Sequence, residues 1–145
     1  MKVAFDENIP LVMVRVFESL AKHSDLLNCE IHTAKQYAQK PKEGDVPWIV
    51  RFKEAGGDVI ISGDIRIRSN LHEQKALRDA GFIAFFFTSA WSQKNGFVKG
   101  AFLLNWWPKI REYMTSSKPG DLWEIPFTWG WTDLKSVKRR KGSKK

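Results

Sequence analysis

The sequence predicts an α/β fold in which a mainly parallel sheet is covered by helices. Three observations support this prediction. Short apolar runs rich in β-branched or aromatic residues alternate with helix-like stretches along most of the chain. Two of the runs, residues 59–61 and 82–87, are continuously apolar, as expected for strands that are covered on both faces. The runs end in polar or acidic groups, and repeated strand–helix–strand units of this kind form parallel sheets.

Local signals mark the ends of the individual elements. Asn8 and Asp45 stand at N-cap positions before helix-like patterns, and Gly56-Gly57 and Gly81 stop two of the helices. The predicted elements are strand 2–5, helix 9–22, strand 29–33, helix 45–55, strand 59–61, helix 71–80, strand 82–87 and helix 97–114.

The C-terminal third contains most of the tryptophans. The helix over residues 97–114 is expected to bend at Pro108, and residues 122–131 are predicted to be an aromatic-rich extended piece. Five of the seven tryptophans lie at or after Trp106. Packing on the sheet or on a partner is the main interpretation of this piece, and stacking on nucleobases is the alternative. No repeat or second domain is present, so residues 1–134 are predicted to form one domain.

Composition excludes several classes of protein. A chain of 145 residues with 43% hydrophobic content can build a sizeable core. No apolar run approaches the roughly 20 residues of a membrane span, and no leader resembles a signal peptide. Because Cys29 is the single cysteine, no internal disulfide can form, and a cytoplasmic protein is the simplest interpretation. The three histidines are scattered and, with one cysteine, offer no zinc-ligand spacing.

Positive charge is concentrated at the C-terminus. Residues 135–145 carry seven Lys or Arg and no acid, which leaves a formal charge of +1 on the preceding 134 residues. We expect this tail to be disordered and to favour phosphate backbones or acidic surfaces. A solvated end that only keeps the protein soluble is the alternative interpretation.

Three acids are predicted to meet at one edge of the sheet. Asp6 follows the first strand, Asp45 begins a helix and Asp64 follows the strand at residues 59–61. In a parallel sheet the strand ends and the starts of the following helices share one edge, where ligands bind. Clustered carboxylates repel unless a cation neutralises them, and Mg²⁺ or Mn²⁺ prefers such oxygen ligands. The pattern therefore suggests metal-assisted phosphodiester hydrolysis. Simpler interpretations remain, with Asp45 as an N-cap and Asp64 as a turn residue.

These motifs resemble those of the PIN-like domain family. The resemblance rests on the first strand ending in Asp6-Glu7-Asn8, on Gly44-Asp45 opening a helix, and on an apolar strand running into Ser62-Gly63-Asp64. It covers about residues 1–90 and is strongest for the compact subgroup that begins with a DEN motif. The resemblance implies a three-layer α/β/α sandwich and Mg²⁺- or Mn²⁺-dependent endoribonuclease activity on RNA. It also implies a role as the toxin of a VapC-type toxin–antitoxin pair, with a cognate antitoxin as partner; a homodimer is left open.

The resemblance assigns roles to individual residues. Asp6 and Asp64 match the first and later acids of the family pattern, and Asp45 matches the middle acid with Glu43 as a rival. Asn8 and Ser62 would position carboxylates or water, and Glu7 is a further auxiliary residue. Where many relatives have another acid this chain has Arg66, which puts a second metal ion in doubt. The residues expected to hold RNA phosphates are Arg66, Arg68, Lys138, Arg139, Arg140 and Lys141.

Two other functions fit parts of the pattern. A phosphoacceptor receiver domain would also place acids after its first strand, an Asp after a later strand and Thr88-Ser89 after the next. That fold needs a lysine after a fifth parallel strand, and Lys118 follows a helix-like segment instead. The other alternative is a PIN-like module that binds RNA without cutting it.

Overall fold

A computed structural model describes residues 1–6, 8–23, 29–40, 45–63 and 71–137, with only the backbone described for His23 and Asp45. The strands are β1 (Lys2–Phe5), β2 (Glu30–Thr33), β3 (Val59–Ser62), β4 (Ile83–Phe87), β5 (Leu122–Ile125) and β6 (Lys135–Ser136). The helices are α1 (Leu11–His23), α2 (Asp45–Glu54), α3 (Leu71–Asp79), the single turn α4 (Ser89–Ser92) and α5 (Gly96–Ser116), and a 3₁₀ turn spans Ala34–Gln36.

The strands form one sheet in the order β2-β1-β3-β4-β5-β6. Strands β1 to β5 are parallel, and β6 runs antiparallel to β5. Phe5 at the end of β1 pairs with Thr33 on one side and with Ile61 on the other. The chain first adds β2 beside β1 and then crosses to the opposite side of β1, which makes the β1/β3 junction the switch point where open α/β sheets bind ligands.

Helices cover both faces of the sheet, as the sequence predicts. Alternate residues of β1 point to opposite faces, so Val3 and Phe5 pack into one core cluster and Ala4 into the other. The first cluster contains residues of α1 and α5, and the second contains residues of α2 and α3. All five residues of β4 are buried, which explains its uninterrupted apolar sequence. The result is a three-layer α/β/α sandwich. None of the helices in the described ranges is long and apolar enough to cross a membrane.

Several boundaries differ from the sequence prediction. Helix α1 begins at Leu11 rather than Ile9, because the backbone makes a tight turn in which the Ile9 N–H donates to the Asp6 carbonyl (3.2 Å). Asn8 therefore precedes the helix by three residues and is not its N-cap. The short helix α4 was not predicted. Only Leu122–Ile125 of the aromatic-rich piece is a strand.

The basic C-terminal segment is not disordered from its first residue. Lys135 and Ser136 pair with Glu124 and Trp123 as strand β6, which corrects the expectation of a disordered tail over residues 135–145. The Val137 N–H continues this pairing to the Leu122 carbonyl (2.8 Å). Antiparallel pairing satisfies backbone groups at the outer side of β5, so the positive charge of Lys135 does not prevent strand formation. Lys138, Arg139, Arg140 and Lys141 lie outside the described residues.

Candidate functional site at the carboxyl edge of the sheet

Asp6 lies at the switch point and is almost completely buried, with 4% of its surface exposed. Its backbone N–H donates to the Ile61 carbonyl (3.1 Å), which extends the β1/β3 pairing by one residue. Its Oδ1 atom accepts hydrogen bonds from the backbone N–H groups of Asn8 (3.0 Å) and Gly63 (3.3 Å). Its Oδ2 atom accepts a hydrogen bond from the Ser62 hydroxyl. Backbone and side chain are thus both fixed at the edge where the parallel strands end, called here the carboxyl edge.

The donors around Asp6 favour its ionised form. A neutral carboxylic acid would need to donate a proton, whereas Asn8, Gly63 and Ser62 all present N–H or O–H groups to it. Hydrogen bonds to a charged carboxylate are stronger than those between neutral groups and compensate for its removal from bulk water. A buried, ionised carboxylate at a strand end is a group suited to binding a cation.

Gly63 and Trp91 form one wall of this site. A methyl group at Gly63 would lie 2.4 Å from ring carbon Cζ3 of Trp91 and 3.4 Å from Cβ of Asn8, so only glycine fits at this position. The Trp91 ring is fully buried and stacks on Phe87 of β4, with ring centroids 4.4 Å apart. The indole of α4 therefore holds the backbone N–H of Gly63 in place against Asp6.

A lysine and a hydroxyl that the sequence motifs did not single out as site residues lie close to this wall. The Nζ atom of Lys99 is 5.1 Å from the Trp91 ring centroid, and the Trp91 indole N–H donates to the Lys99 carbonyl (3.3 Å). Thr88 follows β4 at the same edge, and its buried Oγ1 atom has no hydrogen-bond partner among the described residues. Both residues have only weak sequence signals. Lys99 reaches the site through helix packing, and Thr88 matches only the receiver-like motif.

A cleft opens beside Asp6 between the ends of β1 and β2 and the start of α1. Its volume is about 350 Å³, which is within the range of small-molecule sites. Apolar side chains form most of the wall, and Lys35 supplies a cation at an exposed position. The lining residues are Phe5, Asp6, Ile9, Pro10, Leu11, Val14, Thr33, Ala34 and Lys35.

The other predicted site residues fall into three groups. Asn8 and Ser62 contact Asp6 directly, Asn8 through its backbone rather than its side chain. Asp45 is the first residue of α2, the helix that leads from the β2 side of the sheet to β3, and its side chain is not described. The remaining residues, Glu7, Glu43, Asp64, Arg66 and Arg68, lie outside the described residues.

The donor chemistry at Asp6 fits a hard divalent cation. Carboxylate and hydroxyl oxygens from Asp6 and Ser62 are the ligand type that Mg²⁺ and Mn²⁺ prefer. Within the described ranges, no three His, Cys, Asp or Glu residues form a group that could hold a metal ion. Asp64 and the Asp45 side chain stand outside those ranges, so the expected three-carboxylate cluster stays a prediction.

A comparison with known families decides the assignment. The family model described as "PIN like domain" matches residues 1–89, which contain β1 to β4 and the residues that hydrogen-bond to Asp6. The chain belongs to the PIN-like domain family. No curated protein and no solved structure matches it. PIN-like domains are generally nucleases, and this family assignment is consistent with the mostly parallel sheet.

The geometry does not favour a receiver domain. Lys118 lies in the loop before β5, where the Gly120 N–H donates to the Phe82 carbonyl at the start of β4. This lysine is therefore at the amino edge of the sheet, opposite Asp6. Pro126 follows β5 at the carboxyl edge, where a receiver domain would need its lysine.

Proposed function

We propose that this PIN-like domain is a divalent-metal-dependent endoribonuclease. The observation that carries the proposal is the buried Asp6 carboxylate, which hydrogen bonds fix at the β1/β3 switch point. An aspartate that only supports the fold does not need to be buried and fixed at the switch point, whereas a cation site requires a fixed ionised oxygen. The match of the PIN-like family to residues 1–89 supports nuclease chemistry at this edge.

The residues have distinct roles in this proposal. Asp6, Asp45 and Asp64 would hold Mg²⁺ or Mn²⁺, with Glu43 as the rival for the middle position. When bound, the ion supplies Lewis-acid activation of the phosphodiester and of a water molecule. Ser62 and the Gly63 N–H orient the Asp6 carboxylate, and the fixed geometry keeps the reacting groups aligned.

Phosphate binding falls to cations around the carboxyl edge and to the basic C-terminal tail. Lys99 stands next to Trp91, and Lys35 stands at the cleft beside Asp6. Arg66, Arg68 and the Lys138–Lys141 cluster complete the proposed contacts. Such contacts position the RNA backbone without reading its sequence, so the proposal does not commit to a particular RNA target.

The decisive experiment compares wild-type protein with Asp6→Asn on a panel of single-stranded and structured RNAs. We expect cleavage in Mg²⁺ or Mn²⁺ and none in EDTA, and we expect Asp6→Asn to reduce the rate by about 100-fold or more. Asp79→Asn is the matched control, because Asp79 is exposed and pairs only with Lys75 one turn away on α3. Cleavage that survives Asp6→Asn at the wild-type rate would refute the proposal.

A folding defect in Asp6→Asn is separated from loss of metal by a binding measurement. Mn²⁺ should raise the melting temperature of the wild type and of Asp79→Asn, because a ligand that binds only the folded state stabilises it. It should not raise that of Asp6→Asn. If the wild type binds RNA but neither cuts it nor responds to Mn²⁺, the chain is a non-catalytic RNA-binding module instead.

We extend the proposal to a toxin of a type II toxin–antitoxin pair with a protein antitoxin. The support is the DEN motif at the first strand end, which resembles VapC-type toxins. Induced expression in a bacterial host should arrest growth, and Asp6→Asn should relieve the arrest at equal protein levels. Growth unaffected by the wild-type protein would leave the ribonuclease and remove the toxin role.

A further inference from the structure

An exposed aromatic surface lies beyond the part of the chain that the PIN-like family matches. Residues 127–131, called here the aromatic segment, follow β5 directly at the carboxyl edge. Trp129 and Trp131 within it are 51% and 53% exposed, although indoles of this size are normally buried. Large exposed aromatic groups of this kind mark binding surfaces.

The two exposed rings are held rigidly. The Trp131 indole N–H donates to the Asn105 carbonyl (2.8 Å), and the Asn105 side-chain amide donates to the Trp129 carbonyl (2.8 Å). The Trp129 ring also meets Phe102 edge-on, with centroids 5.3 Å apart. Because α5 fixes both residues before any ligand arrives, binding to their faces requires little additional ordering.

Aromatic contacts connect this surface to the Asp6 site. Phe102 contacts Phe87, and Phe87 stacks on Trp91, the ring that packs against Gly63. Lys99 lies over Trp91 in the same series, and Lys94 lies 5.4 Å from the centroid of Phe127. Phe127 contacts Phe102, so both lysines lie against rings of this series.

The charge around the surface identifies its ligand class. Residues 80–108 contain two cations, Lys94 and Lys99, and no Asp or Glu. Asp133 follows Trp131 by two residues. The next residue, Leu134, donates its backbone N–H to the Tyr113 hydroxyl, which lies far along α5 from the carboxyl edge, so the chain has left the aromatic segment there. Cations alternating with exposed aromatic faces are the combination that binds single-stranded nucleic acid, with phosphates on the lysines and bases stacked on the rings.

We propose that Trp129 and Trp131 form a base-stacking platform for single-stranded RNA that leads into the Asp6 site over Lys94 and Lys99. The platform rests on the proposed function for its substrate class. Three strand spacings separate β1 from β5, which is roughly 14 Å. A strand of RNA a few nucleotides long can span that distance, so the platform would bind bases some positions away from the scissile phosphate.

The test measures RNA binding in EDTA, where metal-dependent cleavage cannot occur. A fluorescently labelled, mixed-sequence 12-nucleotide RNA is titrated with the full chain and followed by anisotropy. We expect Trp129→Ala and Trp131→Ala each to weaken binding about tenfold. Trp129→Phe and Trp131→Phe keep an aromatic face and should retain most of the affinity. The same RNA annealed to its complement should bind more weakly, because its bases are already stacked.

Matched controls separate stacking from general surface effects. Leu104→Ala removes an exposed apolar side chain from α5, the helix that contacts both tryptophans, without removing an aromatic face. It should leave the affinity unchanged. Circular dichroism and melting temperature confirm that each tryptophan variant is folded. Equal binding by wild type and both alanine variants overturns the platform.

The outcome is distinguishable from failure of the proposed nuclease. RNA cleavage that depends on Asp6 but not on Trp129 or Trp131 overturns the platform and leaves the nuclease. Tryptophan-dependent RNA binding without cleavage supports the platform and removes the nuclease. If the wild type binds no RNA and instead self-associates in sedimentation through these tryptophans, the surface is a protein interface and the inference is wrong.

Discussion

The Ser62 hydroxyl at the end of β3 donates a hydrogen bond to the Asp6 carboxylate that follows β1, although the two residues are 56 positions apart in sequence. Both side chains are buried, so this bond joins neighbouring strand ends within the core rather than at the surface. It also orients one carboxylate oxygen, because Oδ1 is already held by two backbone N–H groups. The orientation of the proposed metal ligand Asp6 therefore depends on Ser62.

Ser62→Ala should destabilise the fold by about 1–3 kcal/mol, because a buried charged group loses one of its hydrogen-bond donors. Urea unfolding followed by circular dichroism measures the change. Ser116→Ala is the control, since its hydroxyl bonds only the Glu112 carbonyl at an exposed helix end and should shift stability by less than about 0.5 kcal/mol. Equal stability of Ser62→Ala and the wild type would show that the Asp6 carboxylate does not need this donor.

Gly63→Ala should destabilise more than Gly100→Ala, although a new methyl group meets close neighbours at both positions. At Gly63 it meets the rigid Trp91 ring at 2.4 Å, and a fully buried indole cannot move without disturbing the core. At Gly100 it meets the Sδ atom of Met13 at 2.2 Å, and this flexible side chain can change rotamer. We expect a loss of about 1–3 kcal/mol for Gly63→Ala from urea unfolding, and a smaller loss for Gly100→Ala. The reverse order would contradict this account of the site wall.

Thr88→Val should stabilise the protein by about 1 kcal/mol, because it replaces a buried hydroxyl that has no partner in the described part of the chain by a methyl group of similar size. If Thr88 also serves the site at the carboxyl edge, the same change should lower RNA cleavage. Thermal unfolding and cleavage rates measured on one preparation separate the two effects. Thr88→Ser retains the hydroxyl and should keep the activity. A less stable Thr88→Val protein would mean that the hydroxyl has a partner.

The sequence predicted the layered fold well because its signals were local. Apolar runs such as Phe82–Phe87 are readable as covered strands, and glycines such as Gly56 and Gly81 mark the turns after helices, where both adopt positive φ. The place of Asp6 after the first strand was readable for the same reason, since a strand followed by adjacent acids is visible in a few residues. The error at the start of α1 also has a local cause. Asn8 resembles an N-cap, but the turn from Asp6 to Ile9 delays the helix, whose first backbone hydrogen bonds go to the Pro10 carbonyl.

The remaining features depend on packing between distant parts of the chain and could not be read from sequence. Lys99 lies at the site wall through contacts with Trp91, which is eight residues away and donates to the Lys99 carbonyl. Trp129 and Trp131 are exposed because Asn105 of α5 holds them, whereas tryptophans in general favour burial. Strand β6 forms because one side of β5 is free to pair with it. It was not readable from sequence, because neither lysine nor serine has a strong preference for strands.

Cys29 should react slowly with alkylating agents at neutral pH. Partial burial raises the pKa of the Cys29 thiol above its ordinary value, and the weaker opposing effects of the N-terminus and Arg111 do not cancel this shift. A raised pKa leaves less of the reactive thiolate at a given pH, so the alkylation rate should increase only at higher pH than for a free thiol. Iodoacetamide labelling across pH 7–10, followed by mass spectrometry, gives the profile. The urea-unfolded chain is the reference, and a native profile at or below it would contradict the shift.

Truncation should separate the structural and the electrostatic parts of the C-terminal segment. A chain ending at Val137 loses six Lys or Arg and keeps β6, including the Arg78 hydrogen bond to the Val137 carbonyl (2.7 Å). Its stability should match that of the full chain. A chain ending at Leu134 also loses the pairing with β5 and should be about 1–3 kcal/mol less stable in urea.

The first truncation also tests the role of the tail in RNA binding. For single-stranded RNA, log K falls with log salt by about 0.7 for each phosphate contact, so loss of six cations should reduce the slope by up to about 4. Val137, the last described residue, lies beside Leu122 at the amino edge, on the side of the sheet opposite Asp6. We therefore expect the truncation to weaken RNA binding most at low salt and to leave the dependence on Trp129 unchanged. An unchanged salt slope would show that the tail contacts no phosphates.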